Sequence, residues 1–272
     1  MRALLVLNPR SRRGAEHAER VRRELGGCGI ELFEDEDEPV DAVIAAGGDG
    51  TVIRAVPLAI ERNVPLGIIP LGTFNDLART LDIPLDVSEA CSSIGRGKLR
   101  RIDVGRVNGS YFVNEASVGF STRVARKQTP ELKRRFGWLA IIGTTIETLR
   151  ESRPFQVTVK YDGRAERALT VQVTVANSSR FGGIVEVPGA SLQDARLDLL
   201  SVEVRSWFGV FPLLGAIAAR RFSGVPGVRH RRSTTFELIT RRPHHVSTDG
   251  EPAGFTPATF EVIPGAVQIL VP

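Results

Sequence analysis

In the first hundred residues, short apolar runs alternate with segments of helical period. Residues 3–7 form a continuous apolar run, as in a parallel strand that is buried on both faces. Residues 15–25 carry apolar or small side chains at helical spacing and end at two glycines. The same patterns predict further strands at 30–33, 40–46 and 66–69, and a helix at 51–62. This alternation predicts an α/β layer with a parallel sheet.

The connection between the second and third predicted strands is unusually short. It consists of little more than the acidic run 34–38. A crossover between parallel strands usually takes about a dozen residues or more, so this segment is predicted to be a tight, solvated loop.

From about residue 104 the pattern changes to alternating β segments separated by turn residues. Strands are predicted at 111–114, 155–161, 168–176, 197–204, 234–239 and 260–263. The Asp162-Gly163 pair between two alternating runs is a strong hairpin signal. Amphipathic helices are predicted at 130–149 and 207–222. We therefore predict an α/β domain over residues 1–107 and an antiparallel β-sandwich domain over 108–272, with the option that the extreme C-terminal residues return to the first domain.

The composition favours a globular protein of the reducing cytoplasm. Hydrophobic residues make up 42% and charged residues 25%, which is ordinary for such proteins. The longest apolar stretch, 207–219, is interrupted by glycine and proline and is shorter than the about 18 residues that a membrane span requires. Cys28 and Cys91 are too few for a disulfide framework. We expect any membrane contact to be peripheral.

The net charge of +5 comes almost entirely from arginine. Guanidinium groups suit phosphate and anionic surfaces, although a compositional bias explains the excess equally well. Nucleic acid is the generic partner of a basic protein, but no basic and aromatic nucleic-acid module stands out, so no nucleic-acid partner is predicted.

Two glycine-rich loops follow neighbouring predicted strands. The first is Gly47-Gly48-Asp49-Gly50-Thr51 and the second is Gly72-Thr73-Phe74-Asn75-Asp76. Both loops would lie at the carboxyl ends of their strands, where open α/β sheets bind ligands. Glycines followed by a helix N-terminus suit phosphate. A tight turn explains a lone glycine cluster about as well. The Asp49 carboxylate would repel phosphate unless a cation lay between them, which indicates Mg²⁺.

These loops belong to an ordered set of motifs that resembles the diacylglycerol kinase catalytic family, in its bacterial soluble branch, which is related to sphingosine kinases. The set is GGDGT at 47–51, PLGTFNDLAR at 70–79, YFVNEASVGF at 111–120, VANSSRFGGI at 175–184, PGASLQDARLDLLSV at 188–202, Asp-Gly-Glu at 249–251 and the closing IPGAVQILVP, with Asn8-Pro9 after the first strand. GGDGT alone is shared with NAD kinases. The ordered set is much more specific.

The resemblance implies a lipid kinase with its ATP site in the cleft between the two domains. It implies ATP, Mg²⁺ and transfer of the γ-phosphoryl group to a lipid hydroxyl, with diacylglycerol as the best single acceptor. The protein would then act on the cytoplasmic face of the membrane as a peripheral enzyme of phospholipid biosynthesis. A homodimer is compatible with these residues, which do not determine the oligomeric state.

By resemblance, Asp249 is the general base and Glu251 a supporting carboxylate. Their spacing would place both on one face of an extended strand, while the dipeptide taken alone indicates a hairpin turn. Asp49 is the competing candidate for base or metal ligand.

The remaining assignments also follow from the resemblance. Nucleotide binding is expected of Asn8, Ser11, Gly47, Gly48, Asp49, Gly50, Thr51, Gly72, Thr73, Asn75, Asp76, Arg134 and Arg135. A helix cap is the alternative for Asn75 and Asp76, and a solvated helix face for the two arginines. The expected magnesium residues are Asp49, Asp76, Asp103 and Asp194.

The chain departs from the family pattern at several positions. Val52-Ile53-Arg54 stands where a residue followed by Asn-Glu is common, Arg12-Arg13 replaces a Ser-Gly pair, Ala195 replaces Gly, and the acidic loop replaces a helix. Two alternatives therefore stay open beside the lipid kinase. One is an NAD kinase-like enzyme, and the other is a catalytically silent module that binds nucleotide or lipid.

Overall fold

The computed structural model describes residues 1–7, 12–119, 152–183, 185–203 and 226–272, with side chains from residue 17 in the first helix. The helices are α1 (Arg12–Gly27), α2 (Asp49–Arg62), α3 (Asp76–Thr80) and α4 (Val87–Arg96). The strands of the first half are β1 (Arg2–Leu7), β2 (Glu31–Phe33), β3 (Ala42–Gly47), β4 (Leu66–Pro70), β5 (Lys98–Val107), β6 (Ser110–Phe112) and β7 (Glu115–Gly119). Those of the second half are β8 (Phe155–Tyr161), β9 (Arg164–Thr170), β10 (Gln172–Ala176), β11 (Arg180–Phe181), β12 (Val185–Glu186), β13 (Leu197–Val202), β14 (Val228–Ser233), β15 (Thr235–Thr240), β16 (His245–Thr248), β17 (Glu251–Phe255) and β18 (Ala258–Val271).

The first domain is the predicted parallel layer. Its strands lie in the order β2-β1-β3-β4 and pair in parallel, and β3 and β4 are buried along their whole length. The helix α4 was not predicted, although its signals are present. The carboxylate of Asp86 accepts the N–H groups of Ser88 and Glu89 at its start, and Gly97 ends it in the left-handed conformation.

The short acidic connection is possible because β2 has only three residues. Strand β1 lies between β2 and β3, with Phe33 beside Leu4 and Ala42 beside Ala3. The connection therefore passes from one side of β1 to the other. Along β1, the end of β2 and the start of β3 are only one residue apart. The carboxylate of Asp41 accepts the N–H of Arg2 at 2.8 Å and anchors the end of this loop.

The second domain is a sandwich of two sheets, as predicted. One sheet is antiparallel and has the order β14-β13-β10-β7-β16-β17. The other continues the parallel layer through β18, which pairs with β4, β5 and β15, and then through β8 and β9. Phe112, Phe236 and Phe260 lie fully buried in the core of the sandwich. The C-terminal strand thus joins the sheets of both domains, while the domain bounds at 107 and 108 stay a prediction.

Three strand predictions need correction. The run 168–176 divides at Val171 into β9 and β10, which belong to different sheets. The run 111–114 ends at Phe112, because the next two N–H groups bond to a carboxylate instead of a strand. The run 260–263 is part of a 14-residue strand whose register shifts between Ile263 and Val267. The predicted helices at 130–149 and 207–222 lie outside the described residues. Among the residues that the structure describes, none of the helices is a candidate membrane span.

Candidate active site

The two glycine loops are in backbone contact with each other. The N–H of Leu71 donates to the carbonyl of Gly47 at 2.8 Å. A Cβ added to Gly72 would lie 2.5 Å from Cα of Gly48, and one added to Gly47 would lie 2.1 Å from Oγ1 of Thr51. The close approach of the loops therefore requires glycine at 72, and the turn into α2 leaves no room for a side chain at 47.

Asn75 closes the second loop. It lies in the left-handed region, its Oδ1 accepts the N–H of Gly72 at 2.9 Å, and its Nδ2 donates to the Gly72 carbonyl at 3.0 Å. Asn75 occupies the N-cap position of α3 but makes no side-chain cap hydrogen bond. Its side chain therefore holds the loop rather than the helix.

Asp49, the first residue of α2, joins the two loops through its carboxylate. Oδ1 accepts the N–H of Asp76 at 2.7 Å and Oδ2 accepts the N–H of Asn75 at 3.0 Å. Burial raises the pKa of Asp49 despite these hydrogen bonds. The Asp49 carboxylate is thus fixed in position by two backbone N–H groups, and its pKa is above the usual value for aspartate.

Asp76 links this pair to the second half of the chain. Its side chain is almost fully buried, and Oδ2 accepts the N–H of Gly183 at 3.0 Å. Burial, together with the negative charge of Asp49, raises the pKa of Asp76 to about 6. Gly183 lies between β11 and β12, so a hairpin of the second domain reaches this site.

Asp249 reaches the same site from the turn between β16 and β17. Its carboxylate accepts three N–H groups, from Val113 at 2.7 Å, Asn114 at 2.9 Å and Glu115 at 3.0 Å. Burial raises the pKa of Asp249 to about 6, and the charge of Asp49 adds to the rise. The sequence-predicted residues Asp49, Asp76 and Asp249 are therefore brought together, and we call these three the acidic cluster.

The expected common face for Asp249 and Glu251 is wrong. Asp249 and Gly250 both have positive φ and form a tight hairpin turn, so the chain reverses between the two carboxylates. Asp249 faces the N–H groups of the loop before β7, whereas Glu251 is exposed at the start of β17.

Glu115 is a site residue that the sequence analysis missed. Its carbonyl accepts the N–H of Asp249 at 2.8 Å. Burial raises its pKa to about 8, the charge of Asp249 adds to this rise, and a hydrogen bond with Ser117 opposes it. Its Oε2 is buried and has no hydrogen-bond partner among the described residues. The sequence does contain a signal for this residue. Glu115 is the one acidic residue of β7, and it lies within the family-like motif at 111–120.

Asp103 and Asp194 lie apart from these contacts. The Asp103 carboxylate accepts the N–H groups of Ala195 at 2.7 Å and Gly265 at 2.8 Å. Asp194 forms an ion pair with Arg232, and burial is the main cause of its raised pKa, to which Asp103 adds. Through its two hydrogen bonds, Asp103 connects the loop after β12 with the part of β18 where the register shifts. Their magnesium role stays a prediction.

The other predicted residues divide into two sets. Thr51 is buried in the first turn of α2, Gly50 has open space where a Cβ would be, and Thr73 is exposed. Asn8, Ser11, Arg134 and Arg135 lie outside the described residues.

The acidic cluster fits a divalent cation that arrives with a ligand. Carboxylates that raise one another's pKa are stabilised by a cation beside them, and Mg²⁺ is usually held by one or two carboxylates together with substrate phosphates. In the described part of the chain, no group of three Asp, Glu, His or Cys side chains is placed to hold a metal ion alone.

Comparison with known proteins agrees with this fold. Residues 2–107 match the diacylglycerol kinase catalytic domain, and residues 114–271 match the YegS C-terminal NAD kinase beta sandwich-like domain. The chain is 32% identical over 237 residues to the diacylglycerol kinase of Bacillus subtilis, which covers 85% of this chain and 78% of that protein. It is 26% identical over 270 residues to the diacylglycerol kinase of Staphylococcus saprophyticus, covering 98% and 88% of the two chains.

A solved structure of a diacylglycerol kinase from Bacillus anthracis superimposes with a TM-score of 0.81 at 26% identity, over 100% of this chain and 97% of that one. The fold and these matches thus define a two-domain lipid kinase. The chain belongs to the diacylglycerol kinase catalytic family of lipid kinases.

Proposed function

We propose that this protein transfers the γ-phosphoryl group of ATP, with Mg²⁺, to the hydroxyl of a lipid, and that diacylglycerol is the acceptor. The observation that carries the proposal is the convergence of Asp49, Asp76 and Asp249 beside two glycine loops. The names of the relatives support the choice of acceptor. Action at the cytoplasmic membrane surface is part of the same proposal.

The glycine loops and the N-terminus of α2 would receive the phosphates. The first turn of a helix has N–H groups without intrahelical partners and carries the positive end of the helix dipole. Gly48, the N-cap of α2, has no side-chain cap that competes for these groups. Gly48 and Gly72 let the two loops lie side by side, so that one ligand can reach both.

The acidic cluster would hold Mg²⁺ together with the nucleotide. Bound Mg²⁺ neutralises charge that develops on the transferred group. Asp49 and Asp76 are the residues that would hold it, since their carboxylates lie at the edge of the two loops. The ion would in turn favour the ionised form of both side chains.

Asp249 would be the general base for the lipid hydroxyl. Three N–H groups fix its carboxylate, and a pKa of about 6 leaves it mostly ionised at neutral pH while it remains a better proton acceptor than an ordinary Asp. Glu115 would support the turn that carries Asp249, through the hydrogen bond to its backbone.

Transfer of label from ATP in the presence of Mg²⁺ tests the proposal. Diacylglycerol, a sphingoid base, a polyprenol, phosphatidylglycerol and NAD would be offered separately. We expect labelled phosphatidic acid from diacylglycerol. Label in NAD alone would establish the NAD kinase-like alternative, and ATP binding without any transfer would establish the silent module.

The Asp249→Asn variant tests the assignment of the base. It keeps an acceptor oxygen for the backbone but cannot take a proton. We expect transfer to fall at least about 100-fold, as for loss of a general base, while ATP still binds. The matched control is Asp162→Asn, since Asp162 is an exposed turn residue with positive φ outside the site. Normal turnover in Asp249→Asn would contradict the assignment.

A further inference from the structure

A small cavity opens beside the acidic cluster, between the loop after β4 and the hairpin of β11 and β12. Its volume is about 220 Å³, and its lining includes Phe74, Asp76, Arg79, Arg180, Val185 and Glu186. Pockets for drug-sized ligands usually exceed about 300 Å³. The cavity is therefore too small for a whole nucleotide or a whole lipid, but it can take a compact head group.

The hairpin that forms one wall is fastened to the first domain. The N–H of Gly183 donates to Oδ2 of Asp76 at 3.0 Å, and the hydroxyls of Thr80 and Ser178 lie 3.2 Å apart. A Cβ on Gly183 would lie only 2.1 Å from Cδ1 of Phe74. The wall thus lies directly against the loop after β4, so the cavity is already shaped without a ligand.

The charges in the lining balance. Arg180 and Glu186 face each other across the hairpin and form an ion pair at 3.2 Å. Arg79 donates from Nε to the carbonyl of Phe74 at 2.8 Å, and it forms no salt bridge with another described residue. Its charge is instead felt by Asp76, whose pKa it lowers in opposition to burial. While no Mg²⁺ is bound at Asp76, the lining therefore has no excess of positive charge to attract an anion.

The lining also combines hydrogen-bond donors with apolar surface. The Arg79 guanidinium has five N–H donors, of which the Nε group is used by Phe74. Phe74 and Val185 add apolar area at the same cavity. Ester and hydroxyl oxygens that continue into methylene groups match this combination.

We propose that the cavity binds the neutral glycerol head of the lipid acceptor. Arg79 donates hydrogen bonds to its oxygens, and Phe74 and Val185 contact the first methylene groups. Asp76 belongs to both the cavity and the acidic cluster, so a head group bound here lies next to the carboxylates. This inference rests on the proposed function for the identity of the acceptor.

Calorimetric titration with the water-soluble lipid dihexanoylglycerol, without nucleotide, tests the site. Arg79→Gln removes the charged donor, and Val185→Trp fills the space. We expect Arg79→Gln to bind at least about tenfold more weakly, as for loss of a hydrogen bond to a charged group. We expect a loss of at least about tenfold in Val185→Trp as well, because the indole ring would occupy the space of the head group. The control Arg167→Gln, at an exposed arginine on β9, should change binding less than twofold, and all variants should keep their ATP affinity.

The outcomes separate this inference from the proposed function. Unchanged binding in Arg79→Gln and Val185→Trp, no binding to the wild-type protein, or a loss of ATP affinity instead of lipid affinity would each overturn the site. If Val185→Trp does not fold, Arg79→Gln alone decides, because it alters an exposed side chain. A wild-type protein that binds dihexanoylglycerol but transfers no phosphate to any lipid would leave the site intact and refute the kinase proposal.

Discussion

Gly48 and Gly72 lie so close together that neither has room for a side chain without movement of the other. A Cβ on Gly72 would be 2.5 Å from Cα of Gly48, and one on Gly48 would be 3.0 Å from Cα of Gly72. The two residues follow neighbouring parallel strands. Their contact therefore decides how closely the two loops can surround one ligand.

Gly72→Ala should separate the two loops. The new methyl group would also lie 2.6 Å from Oδ1 of Asn75, which closes the loop. We expect a loss of about 1–3 kcal/mol in the free energy of unfolding, together with weaker ATP binding. Denaturant unfolding and nucleotide titration measure the two effects. Gly27→Ala, where a Cβ would meet nothing within 4 Å, is the control and should be neutral.

Asp49→Asn should lower the pKa values of both Asp76 and Asp249. The charge of Asp49 contributes to raising each of them, and the asparagine removes that charge while keeping an acceptor for one backbone N–H. Carboxyl ¹³C shifts followed by NMR over pH 3–8 measure this. Titration curves that do not move would show that burial alone perturbs the two residues.

The rate of transfer should fall on the acid side of about pH 6. Asp249 can accept a proton only when ionised, and its pKa in the free protein is raised to about 6. In kcat/KM for the lipid, measured at MgATP concentrations well below saturation, we expect an acid limb with an apparent pKa near this value, since the parameter then reports the free enzyme. An acid limb near pH 4 would mean that the base has an ordinary carboxylate environment.

Glu115→Gln should become more stable relative to the wild type as pH rises. The folded-state pKa of Glu115 is raised to about 8, so the folded protein holds a proton that the unfolded chain releases near pH 4.5. Wild-type stability therefore decreases between these two pH values, and the glutamine variant avoids this loss. Unfolding at pH 5.5 and pH 8.5 gives the comparison. An equal difference at both values would contradict the buried carboxyl.

Glu166 should stabilise the sandwich in the opposite pH direction. It bonds to Arg231, Tyr161 and Arg229, and these contacts lower its pKa to about 2. Its stabilisation is complete above the unfolded pKa of about 4.5 and is lost as pH falls through about 2. Glu166→Gln should therefore cost stability at pH 7 and much less at pH 2.5. Glu237→Gln, which breaks a more exposed ion pair with Lys160, should cost about 0.5 kcal/mol or less.

Local pattern was enough for much of this fold. The parallel strands, the helices beside them and the Asp162-Gly163 hairpin follow from period and turn chemistry, which act over a few residues. The missed helix α4 and the undivided run at 168–176 show the limit of this signal. A strand pattern does not record which sheet a strand joins, since both sheets of a sandwich show the same alternation.

The sequence by itself determined the family, the two-domain class and the two glycine loops. Each of these depends on short motifs or patterns whose residues are neighbours in the chain. Only the tertiary structure decided what surrounds the carboxylates. Asp249 bonds to Val113 across 136 positions of chain, and Asp76 bonds to Gly183 across 107. Burial and charge at these contacts, rather than residue type, raise the pKa values of the acidic cluster and reveal Glu115 as its neighbour. Such long-range contacts depend on how sheets pack, which no local period specifies.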